Sequence, residues 1–154
     1  MAKMTTMAAA VRILESEGVK YIFGIPGAGI LPLYRALKDL GTIKHMVTRH
    51  EESAIHMADG YARALNTVGV CAATSGPGAS NFVTGLYTAQ VDSIPLLALT
   101  GQNVRAQLDR EAFQAVDIQP TIGVAPPQDL RRAEPILERT GEQIPGELAH
   151  ALLG

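Results

Sequence analysis

The 154 residues carry a formal charge of −2, with apolar residues at 47 % and charged ones at 18 %. This is ordinary globular composition, enough chain for one core of the commonest domain size, and too weak a field to favour nucleic acid or an anionic membrane as partner. A lone cysteine, Cys71, excludes an intrachain disulfide and a cysteine-rich metal site, which fits a cytoplasmic, reducing setting.

From the N-terminus, Met7, Val11 and Leu14 recur at helical spacing, with Thr5 or Thr6 as the cap and Gly18 as the stop. Lys3, Arg12, Glu15 and Glu17 interrupt the apolar residues here, so the segment reads as a helix rather than a secretion signal, and no run approaches the ~18 apolar residues of a membrane span. YIFGI (residues 21–25) is a short buried strand, PGAG breaks it, and ILPLYRALKDL runs on as a helix to Gly41. IKHMVT is the next strand, ESAIHMADGYARAL a helix and VGVCAAT a strand. After the turn SGPGASN come the helix FVTGLYTAQ and the strand IPLLALT.

Strand and helix alternate four times, and VGVCAAT and LLALT are apolar throughout. That pattern predicts an α/β fold, an open, mainly parallel sheet with helices on both faces. In such sheets ligands bind where loops leave the carboxyl ends of the strands; here those loops are PGAG, RHEES, SGPGASN and TGQN. Composition shifts after Ile118: five of the nine prolines fall within residues 120–154, so a Pro-rich tail (119–154) is expected to follow a first domain (1–118).

Several constellations can be weighed on these loops. The pair His50-Glu51 begins a zinc-hydrolase motif, but position 54 is Ala, and His50 and His56, six apart, diverge by about 240° on a helix. No metal site is expected. Glu51 itself is either a solvated glutamate in a first helical turn or an acid placed at a strand-to-helix junction beside an apolar face of Ala54, Ile55, Met57 and Ala58. SGPGASN lets a ligand approach the backbone, yet it has no P-loop lysine, and Asn81 stands where a dinucleotide fingerprint has its third glycine. No serine lies in a G-x-S-x-G elbow, and Cys71, in mid-strand, reads as a small buried hydrophobe.

Taken together, FGIPGAGILPLY, TRHEESAIHMADGYAR, VGVCAATSGPGASNFVTGL, DSIPLLALTGQ and EAFQAVDI, in this order and spacing, resemble the N-terminal pyrimidine-binding domain of thiamine diphosphate enzymes, over about residues 4 to 118. The closest branches are acetolactate synthase and glyoxylate carboligase. The resemblance implies the thiamine diphosphate-binding fold of pyrimidine type. It also implies that Glu51 is the catalytic glutamate that hydrogen-bonds the aminopyrimidine ring of the cofactor and helps activate it against a 2-oxoacid substrate, which loses carbon dioxide before the remainder joins a second carbonyl compound. Carried over residue by residue, Gly76, Pro77, Gly78 and Asn81 line the pyrimidine pocket, Ala28 and Gly29 lie near the substrate entrance, and Phe113 and Gln114 match a pair that reaches a neighbouring subunit's active site.

The two branches divide the motifs. LYTAQVDSIPLLALTGQ followed by RAQL and EAFQAVDI is closer to glyoxylate carboligase, but that branch carries an apolar residue in place of Glu51, so TRHEE and GILPLY favour acetolactate synthase chemistry, pyruvate condensation. The family's central and diphosphate-binding domains are not expected within these residues, so the chain is expected to hold only the pyrimidine end of the cofactor and to be inactive alone. Mg²⁺ enters only with a partner diphosphate domain, and the motifs do not bear on FAD. A homo- or hetero-oligomer is implied. The non-catalytic alternative is a module that dimerises or docks through the same helices.

Overall fold

The computed structural model describes residues 4–103 and 113–116. Among these, helix α1 (Thr6–Ser16) begins at Thr5, whose hydroxyl accepts from the Ala8 N–H at 3.2 Å. Its apolar stripe leads to strand β1 (Tyr21–Gly24), then a 3-10 turn (Ala28–Ile30) enters helix α2 (Leu31–Leu40), which Gly41 closes in the left-handed conformation. Strand β2 (Lys44–Val47), helix α3 (Glu51–Leu65) and strand β3 (Gly69–Ala73) follow. A single helical turn, α4 (Pro77–Ser80), precedes helix α5 (Val83–Val91) and strand β4 (Leu96–Thr100).

The four strands form one parallel sheet in the order β2-β1-β3-β4. Successive residues of a strand face opposite sides, and two cores result. Ile22, Val70 and Ala72 pack under α1 and α2 with Val11, Leu14, Leu33, Ala36 and Leu37. Phe23, Cys71 and Ala73 pack on the other face against Ala54, Ile55, Ala58 and Phe82. The expected covering of both faces is therefore present, and β3, buried at every position, explains why VGVCAAT reads as an unbroken apolar run. β4 shares that composition but stays half open, with Leu97 37 % exposed, because it has a strand on one side only among the described residues.

Close approach between α5 and α3 depends on Gly85, where a Cβ would fall on the Ile55 side chain. At the far end of this pair Arg63 grips Asp59 through two nitrogens, at 2.8 and 3.2 Å, and Asp92 at 2.7 Å, joining the last turn of α3 to the residue that caps α5. Among the described residues no helix is long and apolar enough to cross a membrane.

Candidate functional site

The strand order fixes where a site can form. The chain moves from β1 to β2 on one side, then crosses back to place β3 on the other, so the loops that leave β1 and β3 lie side by side at the carboxyl edge, where ligands bind in open α/β sheets. The loop after β1 carries Ala28 and Gly29, the loop after β3 carries Thr74 to Gly76, and the start of α3 brings Glu51 to the same edge.

Glu51 is the first residue of α3 because His50 caps the helix. Its extended backbone (φ −151°, ψ 146°) lets the ring Nδ1 accept from the Glu52 N–H at 3.2 Å, and the Thr48 hydroxyl donates to the His50 carbonyl at 2.9 Å. His50 is thus occupied as a cap, in keeping with the divergence from His56 read in the sequence. Glu51 is half-buried; Asn81, at the end of α4, donates its side-chain N–H to Oε2 at 2.9 Å. Oε1 carries no hydrogen bond among the described residues and faces Gly78, where a Cβ would stand 3.4 Å from it and 2.8 Å from Thr74 Cγ2. Of the apolar face expected beside Glu51, Ala54, Ile55 and Ala58 are buried, whereas Met57 is 43 % exposed. Six residues beyond Glu51 is about 240° of helix, which turns Met57 away from the sheet.

SGPGASN, expected as a turn, includes the helical turn α4 with Pro77 at its first position. Gly76 before it has φ 58° and ψ −116°, a conformation open to glycine, and its missing Cβ would sit 2.6 Å from the Gln114 carbonyl oxygen. Gln114 therefore lies over the glycine turn, its own φ at 56°. Phe113, beside it, is 78 % exposed, and its carbonyl accepts from Asn103 Nδ2 at 2.8 Å; the pair sits in a turn, not on a helix. Gly29 meets β3's loop directly: its N–H donates to Thr74 Oγ1 at 3.1 Å, while Ala28 is exposed.

The structure thus brings Glu51, Asn81, Gly78, Gly76, Gln114 and Gly29 to one edge and leaves Pro77 and Phe113 exposed at its rim. Thr74 and Asn103 were not singled out from sequence, although Thr74 is the one hydroxyl in the apolar run VGVCAAT. A groove of about 470 Å³ between the first turn of α1 and the length of α2 is lined by none of these residues.

Two buried groups lie under the edge. The Tyr34 hydroxyl occupies the space that a Cβ on Gly24 would take, 2.7 Å away, and has no hydrogen-bond partner among the described residues. Burial, with smaller contributions from Cys71 and Glu51, holds its pKa above the usual phenol range. Cys71 is pushed up to about 12 by burial, which keeps it a thiol.

A parallel open sheet with a half-buried carboxylate and a glycine turn on its carboxyl edge defines a ligand-binding α/β module. The chain belongs to the family described as thiamine pyrophosphate enzyme, N-terminal TPP binding domain, which it matches over residues 4–121. It is 52 % identical over 120 residues to a glyoxylate carboligase of Escherichia coli O157:H7, covering 77 % of this chain and 20 % of that protein. It is 46 % identical over 149 residues to an acetolactate synthase of Mycobacterium bovis (97 % and 23 %) and 56 % identical over 113 residues to an acetolactate synthase large subunit of Cyanidium caldarium (71 % and 19 %). The chain spans about a fifth of the length of these relatives.

Proposed function

We propose that the chain is the N-terminal cofactor-binding module of a 2-oxoacid carboligase of acetolactate synthase type, with residues 1–118 as the pyrimidine-binding domain. The observation that carries this reading is the state of Glu51: one carboxylate oxygen is held by Asn81, and the other has no hydrogen bond among the described residues and faces Gly78. A carboxylate so placed is oriented through Oε2 and handles a proton through Oε1.

The residues fit thiamine diphosphate at its pyrimidine end. Pro77 lies exposed at the rim of the turn, Gly76 and Gly78 let Gln114 and Thr74 pack against it, and Asn81 keeps the Glu51 carboxylate in one orientation. When bound, the cofactor supplies a carbon nucleophile for attack on a 2-oxoacid. Glu51 Oε1 would be the group to hydrogen-bond the aminopyrimidine ring nitrogen and to exchange a proton there. Ala28, Gly29, Phe113 and Gln114 border the substrate, small residues keeping the entrance open. Mg²⁺ and the diphosphate belong to a second module, on the same polypeptide or another subunit, in a cytoplasmic oligomer. Glyoxylate carboligase chemistry is the second reading, favoured by LYTAQVDSIPLLALTGQ followed by RAQL and EAFQAVDI; Glu51 favours the synthase. A docking module is a third, favoured by the exposed stripe Val83, Tyr87 and Val91 on α5.

The test is titration with thiamine diphosphate and Mg²⁺, then addition of a diphosphate-binding partner and pyruvate, with carbon dioxide release measured for wild type and Glu51→Gln. Wild type is expected to release it, and Glu51→Gln to slow release by ~100-fold, the low end of general acid-base contributions. Equal rates in the two proteins overturn the role of Glu51, and no release with any partner overturns the enzyme reading.

A further inference from the structure

Thr74, the first residue past β3, stands where the β1 and β3 loops meet and touches three of the segments that build the edge. Its Oγ1 accepts from the Gly29 N–H at 3.1 Å and donates to Gln114 Oε1 at 3.4 Å. On its apolar side Cγ2 lies against Gly78, 2.8 Å from the place of a Cβ, and a Cβ on Gly27 would stand 2.5 Å from Thr74 Cβ. A β-branched side chain has few rotamers to begin with, and these two glycines form the close-fitting slot that selects one.

A hydroxyl has a single proton to give. Oγ1 takes the Gly29 N–H on one lone pair, and the Gln114 atom that faces it at 3.4 Å is the carboxamide oxygen, which can only accept, so the hydroxyl proton goes there. The Gln114 backbone is fixed as well, by its left-handed φ of 56° and by its carbonyl lying where Gly76 has no side chain. Backbone and amide oxygen are then both placed, and the carboxamide NH₂ is turned away from Thr74.

We propose that Thr74 is a positioning residue: its hydroxyl ties the Gly29 loop to Gln114 and sets the Gln114 carboxamide with NH₂ outward, as a donor to a carboxylate or carbonyl oxygen of the 2-oxoacid. The substrate side of this assignment rests on Gln114 being substrate-proximal, as argued above. The orientation itself is a property of the unliganded chain.

Nuclear magnetic resonance on the labelled 154-residue chain, without cofactor, tests it through two signals: hydrogen exchange of the Gly29 backbone amide and the side-chain NH₂ pair of Gln114. Thr74→Val keeps the shape and removes the hydroxyl. It is expected to speed Gly29 exchange by about 5- to 10-fold, the loss of one ordinary hydrogen bond, and to move the Gln114 NH₂ resonances to the positions of exposed glutamines. Thr74→Ser is expected to restore both signals. Gln114→Ala is expected to leave Gly29 exchange within about twofold, since Oγ1 still accepts, and it supplies a second test if the valine variant folds poorly. Gln114 resonances unmoved in Thr74→Val, no rescue by serine, or loss of Gly29 protection in Gln114→Ala overturns the proposal. A chain that passes here and fails the cofactor titration keeps the Thr74 geometry and loses the carboligase reading.

Discussion

Asn81 donates to Glu51 across 2.9 Å, so the end of the glycine turn holds the first residue of a helix that starts thirty positions earlier. Charge assistance makes this a stronger bond than a neutral one, and half-burial moderates it. A double-mutant cycle with Asn81→Ala and Glu51→Ala is expected to give a coupling energy of ~1 kcal/mol from urea unfolding. A coupling indistinguishable from zero would mean that the carboxylate is not held.

Two glycines are expected to respond to alanine with opposite signs. Gly60 lies in α3 with open space at its Cβ position, so Gly60→Ala should stabilise by about 0.5–1 kcal/mol through helix propensity. Gly76→Ala puts a Cβ 2.6 Å from the Gln114 carbonyl oxygen and forces φ 58° on a side-chain residue; destabilisation of about 1–3 kcal/mol is expected. Urea midpoints of both variants check the pair.

Tyr34→Phe should cost nothing and is expected to stabilise by up to about 1 kcal/mol, because the hydroxyl it deletes is buried without a partner among the described residues. A clear loss of stability on this substitution would reveal a bond to that oxygen from elsewhere.

His45 predicts a pH dependence of stability. Burial lowers its pKa, opposed by the bond from Nε2 to the Gly24 carbonyl at 3.1 Å, and the Tyr34 ring covers it edge-on at 4.6 Å. Above the unfolded value of about 6.5 both states hold a neutral ring and the residue contributes no slope. As pH falls through that value the unfolded chain takes up a proton that the folded chain resists, so stability declines until the lower folded value is passed. Urea midpoints between pH 8 and 5 should show this decline in wild type and a shallower one in His45→Gln.

Legibility in the sequence followed the physics of each signal. Strands and helices were readable because period and punctuation are local: Thr5 capping α1 and Gly41 closing α2 stand as the pattern required. Element ends moved by a residue or two, as at β4, which starts at Leu96 instead of Ile94, since Pro95 has no N–H to give a ladder. The turn α4 escaped notice because four residues carry no period. Glu51 could be placed at the loop edge, but its partner Asn81 is set by strand order, which no local pattern encodes. Thr74 and Asn103 were missed because their partners, Gly29 and Phe113, lie 45 and 10 positions away, beyond the reach of a local pattern.

That strand order also governs when the site can come into being. β1 receives β2 on one flank early, but its other flank waits for β3, and the contacts that complete the edge join residues 51 to 81 and 74 to 114. Such long closures are made late in folding and during synthesis. A ribosome that has delivered the first seventy residues has therefore produced two sheet strands and three helices without this edge, and the Glu51–Asn81 bond becomes a report that the whole module has finished folding.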